Sequence, residues 1–166
     1  MPSSRQTSAT SAPESGVTGL RDHALRLARL VDRPVVRAYA LFGSAQLAVL
    51  QRGPDDARHY AAEAIVLCRR YGFRLWLALC EVYAGWAAAQ QGELDLAPVR
   101  AAIERIDAIG NRMLRTVVLG LYTELQLLAG DRTGAVASLA TARHEAADTG
   151  EEIFTKRLAE LERRLK

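Results

Sequence analysis

Histidine, cysteine and paired acids are the usual raw material of a catalytic or metal centre, and this chain spaces them poorly for either. His23, His59 and His144 lie far apart, on three different predicted helices with polar neighbours, and form no evident metal pair. His59 follows Asp55 by four residues, which makes it the best-placed base for an enzyme reading. Asp55 and Asp56 are more simply explained as favourable charge at a helix N-terminus. Cys68 and Cys80 lack CxxC spacing and sit in apolar helical surroundings, as buried thiols of a reducing cytoplasm do. No GxxxxGK[ST], GxGxxG, HExxH or GxSxG pattern occurs. A phosphate cradle, a dinucleotide turn, a zinc helix and a nucleophile elbow therefore all lack their minimal geometry. The expectation is no catalytic residue, no cofactor and no metal.

The aromatic residues concentrate in one region: Tyr71, Phe73, Trp76, Tyr83 and Trp86. Trp76, Leu79, Tyr83, Trp86 and Gln90 recur at helical spacing, which predicts core packing first.

Composition bounds what could position such residues. The chain has 166 residues, 49% hydrophobic and 25% charged, the usage of one globular domain. Its net charge of +3 comes from 22 basic and 19 acidic residues, so positive charge is mixed with negative rather than gathered into a stripe. That disfavours direct nucleic-acid binding. There is no apolar run of signal or membrane-spanning length, so a cytoplasmic protein without membrane contact is expected. Residues 1–18, MPSSRQTSATSAPESGVT, have no periodicity and read as a disordered leader. Residues 19–166 form the structured domain.

Glycines punctuate that domain. Gly53, Gly92 and Gly130 are 39 and 38 residues apart; Gly72, Gly110 and Gly150 are 38 and 40 apart and interleave with the first series. Gly53, Gly92 and Gly130 each follow an apolar stretch and precede a polar restart, and all six fall where a helix should end on a left-handed residue. Eight helices are predicted over about 20–31, 34–51, 55–71, 74–91, 95–109, 112–129, 132–149 and 151–165. Asp95 as N-cap would put Pro98 in the first turn, where its missing N–H costs nothing. Helices such as LWLALCEVYAGWAAA are apolar nearly all round and must be sandwiched, whereas DDARHYAAEAIVLCRR has a polar face. That alternation predicts an all-α fold, an α-solenoid of about four antiparallel helix pairs with a period of 38–40 residues.

A helical hairpin of this period with small residues at fixed offsets resembles the tetratricopeptide repeat, although that repeat has about 34 residues. With Gly92 at the turn, Gly85 and Ala97 take the small-residue crossings of the hairpin; with Gly130 there, Thr123 and Ala135 do. In the first copy Gln46 falls on the small position and Ala57 comes one residue early. From Arg52 to Arg164 the chain is similar to the TPR-like C-terminal region of large bacterial, especially actinobacterial, signalling proteins: ATP-binding LuxR-type regulators and multidomain class III nucleotide cyclases. The phrases that carry it are AIVLCRRYGFRLWLALCEVYAGWAAAQQGE, AIGNRMLRTVVLGLYTELQLLAGDRTGAVASLATA and DTGEEIFTKRLAELERR.

The resemblance implies a regulatory or protein-contact platform, with chemistry or DNA binding done elsewhere. Its partner would be a protein or peptide, including a separated ATPase, cyclase or DNA-binding component, or a second copy of the chain. Arg37, Leu79, Val82, Trp86, Arg115 and Glu124 would line the concave groove in which tetratricopeptide proteins hold extended peptides, here an unusually apolar one. A second expectation is a sensing domain in which a small apolar effector lies beside Trp86 and biases helix packing.

Overall fold

The computed structural model of the chain describes residues 13–166. The residues described form eight α-helices and no strand: α1 (Pro13–Leu30), α2 (Pro34–Leu50), α3 (Pro54–Tyr71), α4 (Arg74–Gln90), α5 (Leu96–Ile109), α6 (Arg115–Leu128), α7 (Arg132–Thr149) and α8 (Thr155–Leu165). The first 12 residues of the expected leader lie outside those described. Helix α1 begins at Pro13, seven residues ahead of the expected start.

Local chemistry explains most boundaries. The Asp95 carboxylate accepts from the Ala97 N–H at 2.9 Å and that of Asp131 from the Gly134 N–H at 2.8 Å, so both are side-chain N-caps. Pro98 consequently falls on the third residue of α5, as expected. Gly72, Gly110 and Gly150 close α3, α5 and α7 with φ of 75°, 74° and 68°. Gly92 and Gly130 are left-handed as well.

Gly53 is not. Helix α2 ends one residue early, and the left-handed position passes to Arg52, with φ 59°, while Gly53 is the extended N-cap of α3. With Arg52 equivalent to Gly92 and Gly130, the residues seven positions before the turn are Ala45, Gly85 and Thr123. Ala45, not Gln46, therefore holds the small position of the first copy. Three residues into the next helix come Ala57, Val99 and Ala135, each fully buried.

Ala97 does not serve as a crossing residue. It is exposed, because the turn after Gly92 is two residues longer than that after Gly130 and moves the buried position to Val99. The larger valine is accommodated by its partner: a Cβ on Gly85 would overlap Val99 Cγ2. The remaining differences are late starts. Asn111 caps nothing, and α6 begins at Arg115 after Leu114, which takes φ 63°.

The backbones of the odd-numbered helices pack only against their neighbours in sequence, α1 reaching α3 through the Arg21 side chain alone, to Asp56 at 2.6 Å, whereas α2, α4, α6 and α8 also pack against one another in order. This accounts for the two kinds of helix. In α6 every residue from Thr116 to Gln126 is buried, while α3 buries only Ala57, Ala61, Ala64 and Cys68 along one stripe. Helix α8 is seated by Phe154, whose ring lies where a Cβ on Gly120 would be, and by Leu158 and Leu161.

Candidate functional site

Polar side chains inside the even-numbered row converge on one point. Trp86 on α4 is 2% exposed, and its indole N–H donates to Glu124 Oε2 on α6 at 2.8 Å. Arg157 on α8 donates to the same carboxylate from Nη2 at 2.6 Å and also from Nε. Its remaining Nη1 donates to the Val49 carbonyl near the C-terminus of α2 at 2.8 Å, and its guanidinium stacks over the Trp86 and Phe154 rings at 5.1 and 5.0 Å. A charge removed from water this completely is tolerated only with its hydrogen bonds satisfied and an opposite charge in contact. One arginine thus links α2, α4, α6 and α8.

The network borders a cleft of about 270 Å³ formed by Arg52, Pro54, Trp86, Gln90, Glu124, Leu128, Arg157 and Arg164. Three arginines, a glutamate and a glutamine make this space polar. Trp86 itself is almost wholly buried, and the space beside it is thus lined largely by polar side chains, with Pro54 and Leu128 its apolar part. The cause is Arg157, which α8 carries on the same stripe as Phe154, Leu158 and Leu161.

The six residues expected along one groove do not share one. Only Trp86 and Glu124 come together. Leu79 and Val82 are core residues, 2% and 0% exposed. Arg37 stands twelve residues before Val49 on α2, about 18 Å along its axis, and is ion-paired with Glu63 at 3.8 Å. Arg115 opens α6, paired with Asp107 and with Glu145 at 3.3 Å. Arg157 was missed, although an arginine three residues after Phe154 and four before Leu161, inside an apolar stripe, is itself the signal of a buried charge.

The elements of an enzyme reading are dispersed. His59 pairs with Glu63 at 3.4 Å rather than with Asp55, which accepts from Gln91 at 2.6 Å. Cys68 and Cys80 are buried free thiols; burial pushes Cys68 up to about 11, and burial followed by the neighbouring Cys68 and Glu81 raises Cys80 further. Among the described residues no group of three His, Cys, Asp or Glu could hold a metal ion, and no helix is long and apolar enough to cross a membrane.

A second surface has the opposite character. Between α1 and α2 runs a groove of about 460 Å³ whose walls include Leu27, Val31, Val36, Tyr39, Phe42 and Leu47. Leu27 is 47% exposed, Val31 51% and Tyr39 60%, with Leu20 and Leu30 more so. The Tyr39 ring rests on Trp76 at 5.5 Å, and Phe42 joins Trp76 to Tyr83. The aromatic cluster thus extends from the core to this face. Helix α2 has the composition of the sandwiched α4 and α6, but on this side it is covered only by α1.

No family model matches the chain, and no curated protein or solved structure matches it.

Proposed function

We propose that the chain is a non-catalytic interaction module, a TPR-like α-solenoid that acts as a protein-contact scaffold in a bacterial signalling or transcription-regulatory system. Its support is the ordered contact of α2, α4, α6 and α8 flanked by helices whose backbones pack only against their sequence neighbours, with left-handed turn residues recurring at Arg52, Gly92 and Gly130. The observation that carries the function is the exposed apolar face of α1 and α2, where Tyr39 and Val31 offer large side chains to solvent beside an apolar groove. Contiguous apolar surface of this kind marks a contact site. The concave side suits an extended peptide less well, because Arg157 and Arg52 bridge it, to Val49 and Glu160 respectively.

The immobilised chain should capture a specific protein from extract of its host, and Tyr39→Glu should abolish that capture with helicity unchanged in circular dichroism. Identical capture by both chains, or none by either, would reject the reading. A second reading, a sensing domain with its effector beside Trp86, draws on the cleft of about 270 Å³, whose arginines suit a small anion. A thermal-shift screen of small carboxylates and phosphates that leaves the midpoint unmoved would reject it.

A further inference from the structure

The apolar groove of α1 and α2 does not end in neutral surface. Ala28 belongs both to it and to a smaller pocket of about 150 Å³ at the α1–α2 turn, where Arg29, Arg33 and Arg37 gather with Asp32 as the only acid. Elsewhere Arg58, Arg69, Arg105, Arg112, Arg115 and Arg143 each meet a carboxylate, while Arg26, Arg70, Arg74, Arg100, Arg132, Arg163 and Arg164 have no ion pair among the described residues. The turn differs in gathering two such arginines on one pocket beside apolar surface. At the turn, Arg29 and Arg33 have no ion pair among the described residues, and Arg37 reaches Glu63 only at 3.8 Å. An apolar trough is therefore continuous with a cluster of under-neutralised arginines.

We propose that this face receives an amphipathic helix of a partner protein, with its apolar stripe in the groove and carboxylates at one end against Arg29, Arg33 and Arg37. This rests on the reading of α1 and α2 as the docking face and adds the partner's chemistry. A helix supplies what the groove lacks, apolar side chains at three- and four-residue spacing. Acidic side chains at one end supply the missing charge, and guanidinium groups hold carboxylates in two-point contact. Two other occupants fit less well. The chain's own first twelve residues, MPSSRQTSATSA, have little apolar bulk and a single charged side chain, Arg5, of the wrong sign. A two-fold pairing of this face with a second copy sets the same arginines in one interface and leaves them unneutralised.

The test uses the full chain and a labelled synthetic peptide with one leucine stripe and glutamates at one end, next to the same peptide with lysines there. Fluorescence anisotropy reads binding, and tryptophan emission reports on Trp76 beneath Tyr39. The glutamate peptide should bind at least about tenfold more tightly, the excess should fall with added salt, and Arg29→Glu with Arg33→Glu should reverse the preference. Equal binding of both peptides, lost in Tyr39→Glu, overturns the acidic partner but leaves α1 and α2 as the docking face. Binding of neither, together with host-protein capture insensitive to Tyr39→Glu, overturns both. A dimer in sedimentation that Tyr39→Glu dissociates puts a second copy there, and displacement of the glutamate peptide by a peptide of residues 1–12 puts the chain's own segment there. Either result overturns the proposal.

Discussion

Trp86 and Glu124 hold the same place in successive hairpins, each six residues before a left-handed glycine, Gly92 or Gly130, and the indole of the first donates to the carboxylate of the second at 2.8 Å. This makes Glu124 the centre of a buried junction, because Arg157 brings α8 to the same carboxylate and then reaches Val49. Helix α8 is short and has a single stripe of anchors, so its position depends on this junction more than α4 or α6 depends on any one residue.

Arg157→Met keeps much of the side chain's bulk but leaves the Glu124 carboxylate buried without its cation, which should cost about 3–5 kcal/mol. Glu124→Gln added to it removes the orphaned charge, so the double variant should be less destabilised than the summed single changes. Urea unfolding followed by tryptophan emission measures all three. Strictly additive costs would show that the two groups do not act as a pair.

Gly85 and Val99 form a second coupled pair. Alanine improves helix propensity over glycine by about 1 kcal/mol, yet at position 85 the added carbon meets Val99 Cγ2. Overpacking of this kind costs about 1–3 kcal/mol, so Gly85→Ala should be destabilising on its own. Combined with Val99→Ala, it recreates the Ala45 and Ala57 combination of the first hairpin and should recover most of the loss. Thermal unfolding of the four chains completes the cycle, and a double variant worse than either single change would refute the size compensation.

How far the sequence could be read follows from the same residues. The all-helical class, the eight helices and the two kinds of helix were legible because glycine spacing and apolar periodicity are local properties of the chain. The register of the first hairpin was not, because Arg52 takes a left-handed conformation that sequence assigns to the adjacent glycine. Ala97 was misplaced by a two-residue difference in turn length, which a count from Gly92 conceals and a count from the Asp95 cap reveals. Trp86 and Glu124 were correctly grouped, but Arg37 and Arg115 were not, since helical spacing gives the face a residue lies on and not its height along the stack. The α1–α2 face was missed altogether: an apolar α2 reads as sandwiched whether or not a neighbour covers it.

The left-handed turns allow a comparison of sign. A Cβ at Gly92 or Gly130 meets nothing within 4 Å, so Gly→Ala there should cost only the conformational penalty, about 1 kcal/mol at each site. Arg52 already bears that penalty at φ 59°. Arg52→Gly removes it and gives up an exposed ion pair with Glu160, worth about 0–1 kcal/mol. The expected outcome is a chain unchanged or stabilised by up to about 1 kcal/mol. Destabilisation beyond that in urea would mean that the Arg52–Glu160 bridge holds α8 to α2 more strongly than its exposure implies.

Cys68 and Cys80 give a readout of opening. Both are fully buried, and a thiol held up to about 11 is almost entirely protonated at pH 8, while the thiolate is the reactive species. An aromatic disulfide reagent at pH 8 should therefore leave the native chain unmodified and titrate both thiols in urea. The pH dependence has a definite sign. Because burial raises Cys68 from its ordinary 9.0, the unfolded chain loses this proton first, so the stabilisation is complete below pH 9 and is lost as pH rises through about 11. The thermal midpoint should fall across that window, and Cys68→Ala should show a shallower fall. A native chain labelled at pH 8 as fast as the unfolded one would mean that the α3–α4 contact opens freely, which the packing of Ala61, Ala64 and Cys68 against a buried α4 does not allow.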